Sequence, residues 1–184
     1  AKESSIEAGS IIMKYYQKDY DVHQKSYHNP VTTADKEADE KIKEILLSNN
    51  SDYGWLSEET VDSKERLSKK YIWVVDPLDG TKEFIEGIPN FVVSIALVED
   101  NKPILGVLYN PVTGEIFSAA KNCGSFLNGD PISCSTKSNL NQMVILNSRS
   151  ETNRGLWNSY TNIFKELKPI GSVAYKLGLT AAGK

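Results

Sequence analysis

Trp73-Val74-Val75-Asp76-Pro77-Leu78-Asp79-Gly80-Thr81-Lys82-Glu83-Phe84 is the stretch on which the reading of this chain turns. Its first residues are the aromatic and branched apolar run that a fully buried strand carries. Pro77 has no N–H to give to a sheet ladder, which predicts that the strand stops there. Asp79-Gly80 lets the backbone turn sharply because glycine accepts positive φ, and Thr81 opens a polar segment suited to the first turn of a helix. Two carboxylates, a carbonyl and free N–H groups therefore converge on one point. Such oxygens suit a hard cation such as Mg2+, and N–H groups at a helix start suit a phosphate.

Two further acidic pieces stand upstream, Val31-Thr32-Thr33-Ala34-Asp35 and Leu56-Ser57-Glu58-Glu59. Cleaving a phosphate monoester requires neutralised phosphoryl oxygens, a nucleophilic water and a stabilised leaving alkoxide, and divalent metals serve all three needs. A pair of ions about 3.5–4 Å apart takes bridging and terminal carboxylates. Asp76 and Asp79 supply these from one turn, Glu58 arrives from another strand, and the Leu78 carbonyl adds a neutral oxygen. Taken singly, Asp-Pro-Leu-Asp-Gly reads as an ordinary turn, Glu58-Glu59 as a solvated pair and Asp35 as a helix cap. Their joint occurrence, each at the edge of an expected element, is what points to a site.

The 184 residues, 40% of them hydrophobic, suffice for one good core or two small ones. A formal net charge of -3 with scattered Lys and Arg gives no footprint for a nucleic acid polymer. No apolar run is long enough for membrane insertion, and the first residues lack the apolar stretch of a secretory signal, so a cytoplasmic location is expected. Cys123 and Cys134 lack metal or redox spacing and read as reduced thiols. His23 and His28 read as solvated residues of a polar connecting segment.

Ile6, Ile11, Ile12 and Tyr15 recur at helical spacing and predict an amphipathic helix over about 4–18. A second helix is expected from Thr33 to about Ser48, capped by Thr32 or Thr33, with Asp35 and Glu37 at the positive end of its dipole. A short strand ends at Ser57-Glu58-Glu59, and a charged loop follows over 62–70. After the acidic turn, residues 91–99, 103–109 and 115–120 read as antiparallel strands of a meander, and Phe126-Leu127-Asn128-Gly129 marks a hairpin. Met143 to Leu146 reads as a strand, Arg154 to Leu167 as a helix, and Val173 to Ala182 as a final helix begun by Gly171-Ser172.

The order Asp35, then Glu58-Glu59, then Asp76-Pro77-Leu78-Asp79-Gly80-Thr81 resembles the lithium-sensitive, Mg2+-dependent phosphomonoesterase superfamily. That superfamily includes inositol monophosphatase, fructose-1,6-bisphosphatase and 3'(2'),5'-bisphosphate nucleotidase. The resemblance spans essentially the whole chain, and Lys82-Glu83-Phe84 looks most like the nucleotidase branch. It implies an α+β fold, a layered α/β sandwich with two N-terminal helices packed on an antiparallel sheet. Residues 1–140 would form the lobe carrying the metal site, and residues 141–184 the start of a second, incomplete α/β lobe. A Trp-Asp signature followed by Gly-Gly, which members carry in that second lobe, is absent here, so the chain is expected to continue past Lys184.

By the same resemblance, Glu58, Asp76, the Leu78 carbonyl and Asp79 are metal ligands for two or three Mg2+ ions, with Li+ as inhibitor. Asp35, Glu58 and Thr81 form the catalytic set, Thr81 hydrogen-bonded to Asp35 to orient a metal-activated water, with no phosphoenzyme. Asp79, Gly80, Thr81, Gly171, Ser172 and Lys176 resemble substrate contacts. Ser148-Arg149-Ser150-Glu151 is similar to a nucleotide-contacting Ser-Arg-Ser-His stretch. The expected partner is a small phosphate ester, a nucleotide first: 3'-phosphoadenosine 5'-phosphate hydrolysed to AMP and phosphate, in sulfur metabolism. Inositol monophosphate or a sugar phosphate is the alternative, a noncatalytic metal-binding domain is the alternative of another class, and a homodimer is compatible with the likeness.

Overall fold

In the computed structural model, which describes residues 1–18, 22–26, 29–48 and 50–184, the chain opens with helix α1 (Lys2–Tyr15). An antiparallel hairpin of β1 (Val22–Ser26) and β2 (Asn29–Thr32) leads into helix α2 (Thr33–Ser48). His23 thus belongs to a strand and not to a connecting segment, and His28 lies outside the described residues. α2 begins where Thr32 and Asp35 predicted. The Thr32 N–H and hydroxyl both donate to Asp35 Oδ2, at 2.8 and 2.6 Å, a third-position carboxylate reaching back over the helix start.

The helical spacing in α1 identified the element but not its inner face. Ser4, Ser5, Ala8, Gly9 and Ile12 are buried, whereas Ile6 is 40% exposed. Small residues win that face because α1 lies close on the sheet: a Cβ at Gly9 would overlap the Tyr109 ring.

Strands β3 (Gly54–Ser57), β4 (Tyr71–Asp79), β5 (Val92–Glu99), β6 (Lys102–Asn110), β7 (Glu115–Ala120), β8 (Gly124–Leu127) and β9 (Asp130–Pro131) form one sheet in that spatial order. All pairs are antiparallel except β3 with β4, which is parallel. The β8–β9 turn has positive φ at both Asn128 (52°) and Gly129 (93°), the twist-matched hairpin turn that Asn-Gly favours. One sheet face carries α1 and α2, whose Ala8, Ile12, Ala34, Ala38 and Ile42 pack with Trp73, Val75, Leu78, Phe84, Phe91, Val93 and Ile95. Removing side chains such as Phe84 and Ile42 from water contributes about 1.5–3 kcal/mol each.

β4 does not stop at Pro77. It continues to Asp79 through a one-residue bulge, because Asp76 pairs with Ser94 while Asp79, three residues on, pairs with Val92, two residues back. A bulge leaves its extra residue outside the ladder, so the missing proline N–H costs nothing there. In a regular strand an odd separation would put the two acids on opposite faces. The bulge restores the phase, and Asp76 and Asp79 share a face.

Beyond residue 140 the chain makes β10 (Val144–Ser148), a short helix α4 after α3 (Thr81–Ile85), namely Arg149–Asn153, then β11 (Glu166–Ile170) and helix α5 (Val173–Ala181). β10 and β11 pair in parallel as a separate two-stranded sheet. We propose this change of sheet as the lobe boundary. α5 covers the second face of the large sheet, where Ile170, Tyr175 and Leu179 pack with Val92 and Phe117. The helix expected over 154–167 is not formed. Gly155 at φ 75° ends α4, and Leu156, Tyr160 and Ile163, whose spacing imitated a helix face, are 56%, 44% and 40% exposed. Periodicity without a surface to bury against does not hold a helix.

Candidate active site

Glu58 follows directly on β3. Since Ser57 pairs with Val75 and the Glu58 N–H donates to the Val75 carbonyl at 3.3 Å, Glu58 enters the site beside Asp76. The Leu78 N–H donates to Asp76 Oδ1 at 3.1 Å, which fixes that carboxylate across the bulge. Gly80 sits at φ 104°, a conformation that favours glycine, and starts α3 at Thr81. The Thr81 hydroxyl has two acceptors at 3.1 Å, Asp35 Oδ1 and the Leu78 carbonyl. Three segments distant in sequence thus meet at one turn.

Burial first, and then the charges of Asp79, Glu58 and Asp35, push the Asp76 carboxyl up to about 8. Burial also raises Asp35, against the opposing hydrogen bonds from Thr32 and Thr81. Four carboxylates in one electrostatic neighbourhood favour either a bound proton or a cation, and an all-oxygen donor set fits a hard one. The expected ligands are gathered as charge and not as a finished shell: among the described residues, no group of three ligand-type side chains is arranged to hold a metal. Like-charged carboxylates repel, and Asp79 takes its hydrogen bonds from α5 instead.

Asp79 Oδ2 accepts from the Ser172 hydroxyl at 2.5 Å and from the Ala174 N–H at 2.6 Å. Ser172 in turn accepts from the Tyr175 N–H at 3.0 Å, and it holds φ 56°, a strained value for a residue with a side chain. Ser172 is therefore joined to the acidic turn. Gly171 acts differently, by leaving room for the Glu83 side chain, which any Cβ there would overlap. Lys176 does not reach the turn. It lines a groove of about 520 Å³ with Val144, Leu146, Val173, Thr180 and Lys184, and none of Glu58, Asp76, Asp79 or Thr81 lines it.

Sequence reading missed the roles of Glu83 and Asp39, and it took Arg149 only as part of a stretch similar to a nucleotide contact. Arg149 bridges Glu83 at 2.9 Å and Glu86 at 2.8 Å, pinning α3 to α4. Glu83, a charged residue in a polar segment of the sequence, is buried. Asp39, 4% exposed, accepts from the hydroxyls of Ser57 and Thr60, on either side of Glu58-Glu59. Its signal was present as a second acid one helical turn after Asp35 on the inner face of α2.

A mostly antiparallel sheet flanked by helices, with acids meeting at a bulged strand end, is the architecture of a known phosphatase class. The inositol monophosphatase family model matches residues 1–184, and the chain belongs to that family. It is 34% identical over 195 residues to inositol monophosphatase 3 of Solanum lycopersicum, a match spanning 100% of this chain and 72% of the relative. A fructose-1,6-bisphosphatase/inositol-1-monophosphatase of Aquifex aeolicus is 30% identical over 192 residues, with the same shares covered. Among solved structures, the extragenic suppressor protein suhB of Bartonella henselae is 29% identical with a TM-score of 0.87, over 99% of this chain and 73% of that one. Thermotoga maritima IMPase is 27% identical with a TM-score of 0.89, over 98% and 70%.

Proposed function

We propose that this protein hydrolyses small phosphate monoesters with Mg2+ as cofactor. The observation that carries the reading is the Thr81 hydroxyl held between Asp35 Oδ1 and the Leu78 carbonyl, beside Asp76. Glu58, Asp76, Asp79 and the Leu78 carbonyl would hold Mg2+, which when bound would neutralise the phosphoryl oxygens and acidify a water. Thr81 keeps lone pairs free to accept a hydrogen bond from that water and aims its oxygen at phosphorus. As the water oxygen bonds to phosphorus, its proton passes to Thr81 while the Thr81 proton passes to Asp35. Burial raises the Asp35 carboxyl and so favours that transfer. The phosphorus–ester bond breaks, and the proton ends on the departing alkoxide, giving an alcohol and inorganic phosphate.

A polyol monophosphate such as inositol 1-phosphate is the substrate class that the site supports over a bisphosphate nucleotide. A second phosphate would enlist Arg149 or Lys176. Arg149 is already held by Glu83 and Glu86, and Lys176 lines the separate groove. Both relatives carry inositol monophosphatase in their names, one of them together with fructose-1,6-bisphosphatase, which supports a polyol ester over a nucleotide.

The test is phosphate release with Mg2+ from inositol 1-phosphate, a sugar phosphate and 3'-phosphoadenosine 5'-phosphate, for wild type and Thr81→Val. Faster turnover of the polyol ester, lost in Thr81→Val, is expected. Preference for the nucleotide would replace the substrate assignment. A folded protein that binds Mg2+ but cleaves none of the three would leave a noncatalytic metal-binding domain.

A further inference from the structure

We infer that Asp39 is a positioning residue that sets the Glu58 loop for divalent-cation binding; this rests on the Mg2+ reading of the site. Asp39 lies one helical turn beyond Asp35 on α2, so both carboxylates leave the same buried helix face. Asp35 takes the Thr81 hydroxyl from the turn after β4. Asp39 takes two hydroxyls from the end of β3 and the segment after it: Ser57 donates to Oδ1, and Thr60 donates to Oδ2 at 2.6 Å. One helix thereby fixes both acidic loops relative to each other.

Each hydroxyl that donates to Asp39 also accepts from its own loop. Ser57 Oγ accepts the Glu59 N–H at 3.1 Å, and Thr60 Oγ1 accepts the Trp55 indole N–H at 3.4 Å. The Glu58 N–H meanwhile donates to the Val75 carbonyl. Glu58 is therefore flanked by backbone groups held through Ser57 and β4, while its own side chain reaches the exposed edge of the site. A chain of hydrogen bonds ending on a buried carboxylate is stiffer than its links taken separately. Removing the acceptor frees both hydroxyls together and loosens Glu58 without altering any expected metal ligand.

The experiment measures Mg2+ binding by calorimetry without substrate, amide exchange over 57–60, and the Trp55 indole resonance. The proteins are wild type, Asp39→Asn, Ser57→Ala/Thr60→Ala, and the exposed α2 control Glu44→Gln. Both loop variants should bind Mg2+ roughly 10- to 100-fold more weakly, the usual cost of losing an outer support. Their Glu59 amide should exchange faster and their Trp55 indole resonance should shift, while Glu44→Gln behaves as wild type. The double variant keeps the buried carboxylate and serves if Asp39→Asn does not fold. A folded variant with a loosened loop but wild-type Mg2+ affinity would overturn the inference, and so would an unchanged loop. Wild type that takes up no Mg2+ would remove the underlying reading, a result distinct from failure of the variants alone.

Discussion

Asp79→Asn tests whether the carboxylate at the bulge serves the site and the fold together. The substitution conserves shape and removes one negative charge. In the structure Asp79 Oδ2 accepts from Ser172 Oγ and from the Ala174 N–H, so it also sits at the positive end of the nine-residue α5. Hydrogen bonds to a charged acceptor are worth about 1.5–3 kcal/mol, and a helix-terminal charge contributes about 0.3–1 kcal/mol. Asn retains one carbonyl oxygen able to take either donor, so the net loss should be about 1–2 kcal/mol. For a chain of 184 residues that lowers Tm by roughly 2–8 °C. On an exposed turn the same substitution would leave the fold untouched; α5 docked on Asp79 is what couples it to stability. Turnover should fall much further than stability, by about 100-fold or more, as Mg2+ loses a ligand. Thermal denaturation and phosphate release on the same preparation decide it. Activity within a factor of a few of wild type would refute the ligand assignment, and an unchanged Tm would refute the α5 contact.

Three further outcomes follow from the same geometry. Arg149→Met should destabilise by about 1–3 kcal/mol, because it leaves the buried Glu83 without its cation while Glu86 stays partly solvated; an unaltered denaturation midpoint would contradict this. The clasp of Tyr175 and Lys184 on Glu115 should be pH-dependent at both ends. Burial opposes ionisation of Glu115, but bonds from Lys184, Tyr175 and Thr113 outweigh it and hold the carboxyl below its ordinary 4.5, so this contribution is full above that value and fades as pH falls through the lowered one. Burial and then Glu115 push Tyr175 up to about 12, so its contribution is full below 10 and is lost as pH rises through about 12; urea midpoints of Tyr175→Phe and wild type should therefore converge at both extremes. Li+ should inhibit phosphate release in competition with Mg2+, and full activity at high Li+ would count against the proposed cation site.

Much of the fold was legible because local chemistry decides it. Asn128-Gly129 can hardly avoid a hairpin turn, and the apolar runs that became β5, β6 and β7 suit strands with a core on each side, Val93 and Ile95 in one and Val92 and Phe117 in the other. Thr32 and Asp35 marked the start of α2. The site was legible at the level of residue types: three acidic segments and a hydroxyl, of which the structure brings Thr81 to Asp35 and Glu58 to the side of Asp76. Where a pattern needed a partner to be meaningful, the sequence misled. Leu156, Tyr160 and Ile163 have helical spacing but no surface to cover, and Ile6 yields the inner face of α1 to smaller residues.

Backbone preferences acting within a few residues were enough to dictate the acidic turn, its glycine hinge and the helix that begins at Thr33. The run of β4 past Pro77 needed more, because the register against β5 creates the bulge that puts Asp76 and Asp79 on one face. Packing also settled that Asp79 is held by Ser172 from 93 positions away, and that Asp39 secures the loop beyond β3. Hydrogen-bond partners so distant in the chain leave no periodic trace, and they meet only once the helices close on the sheet.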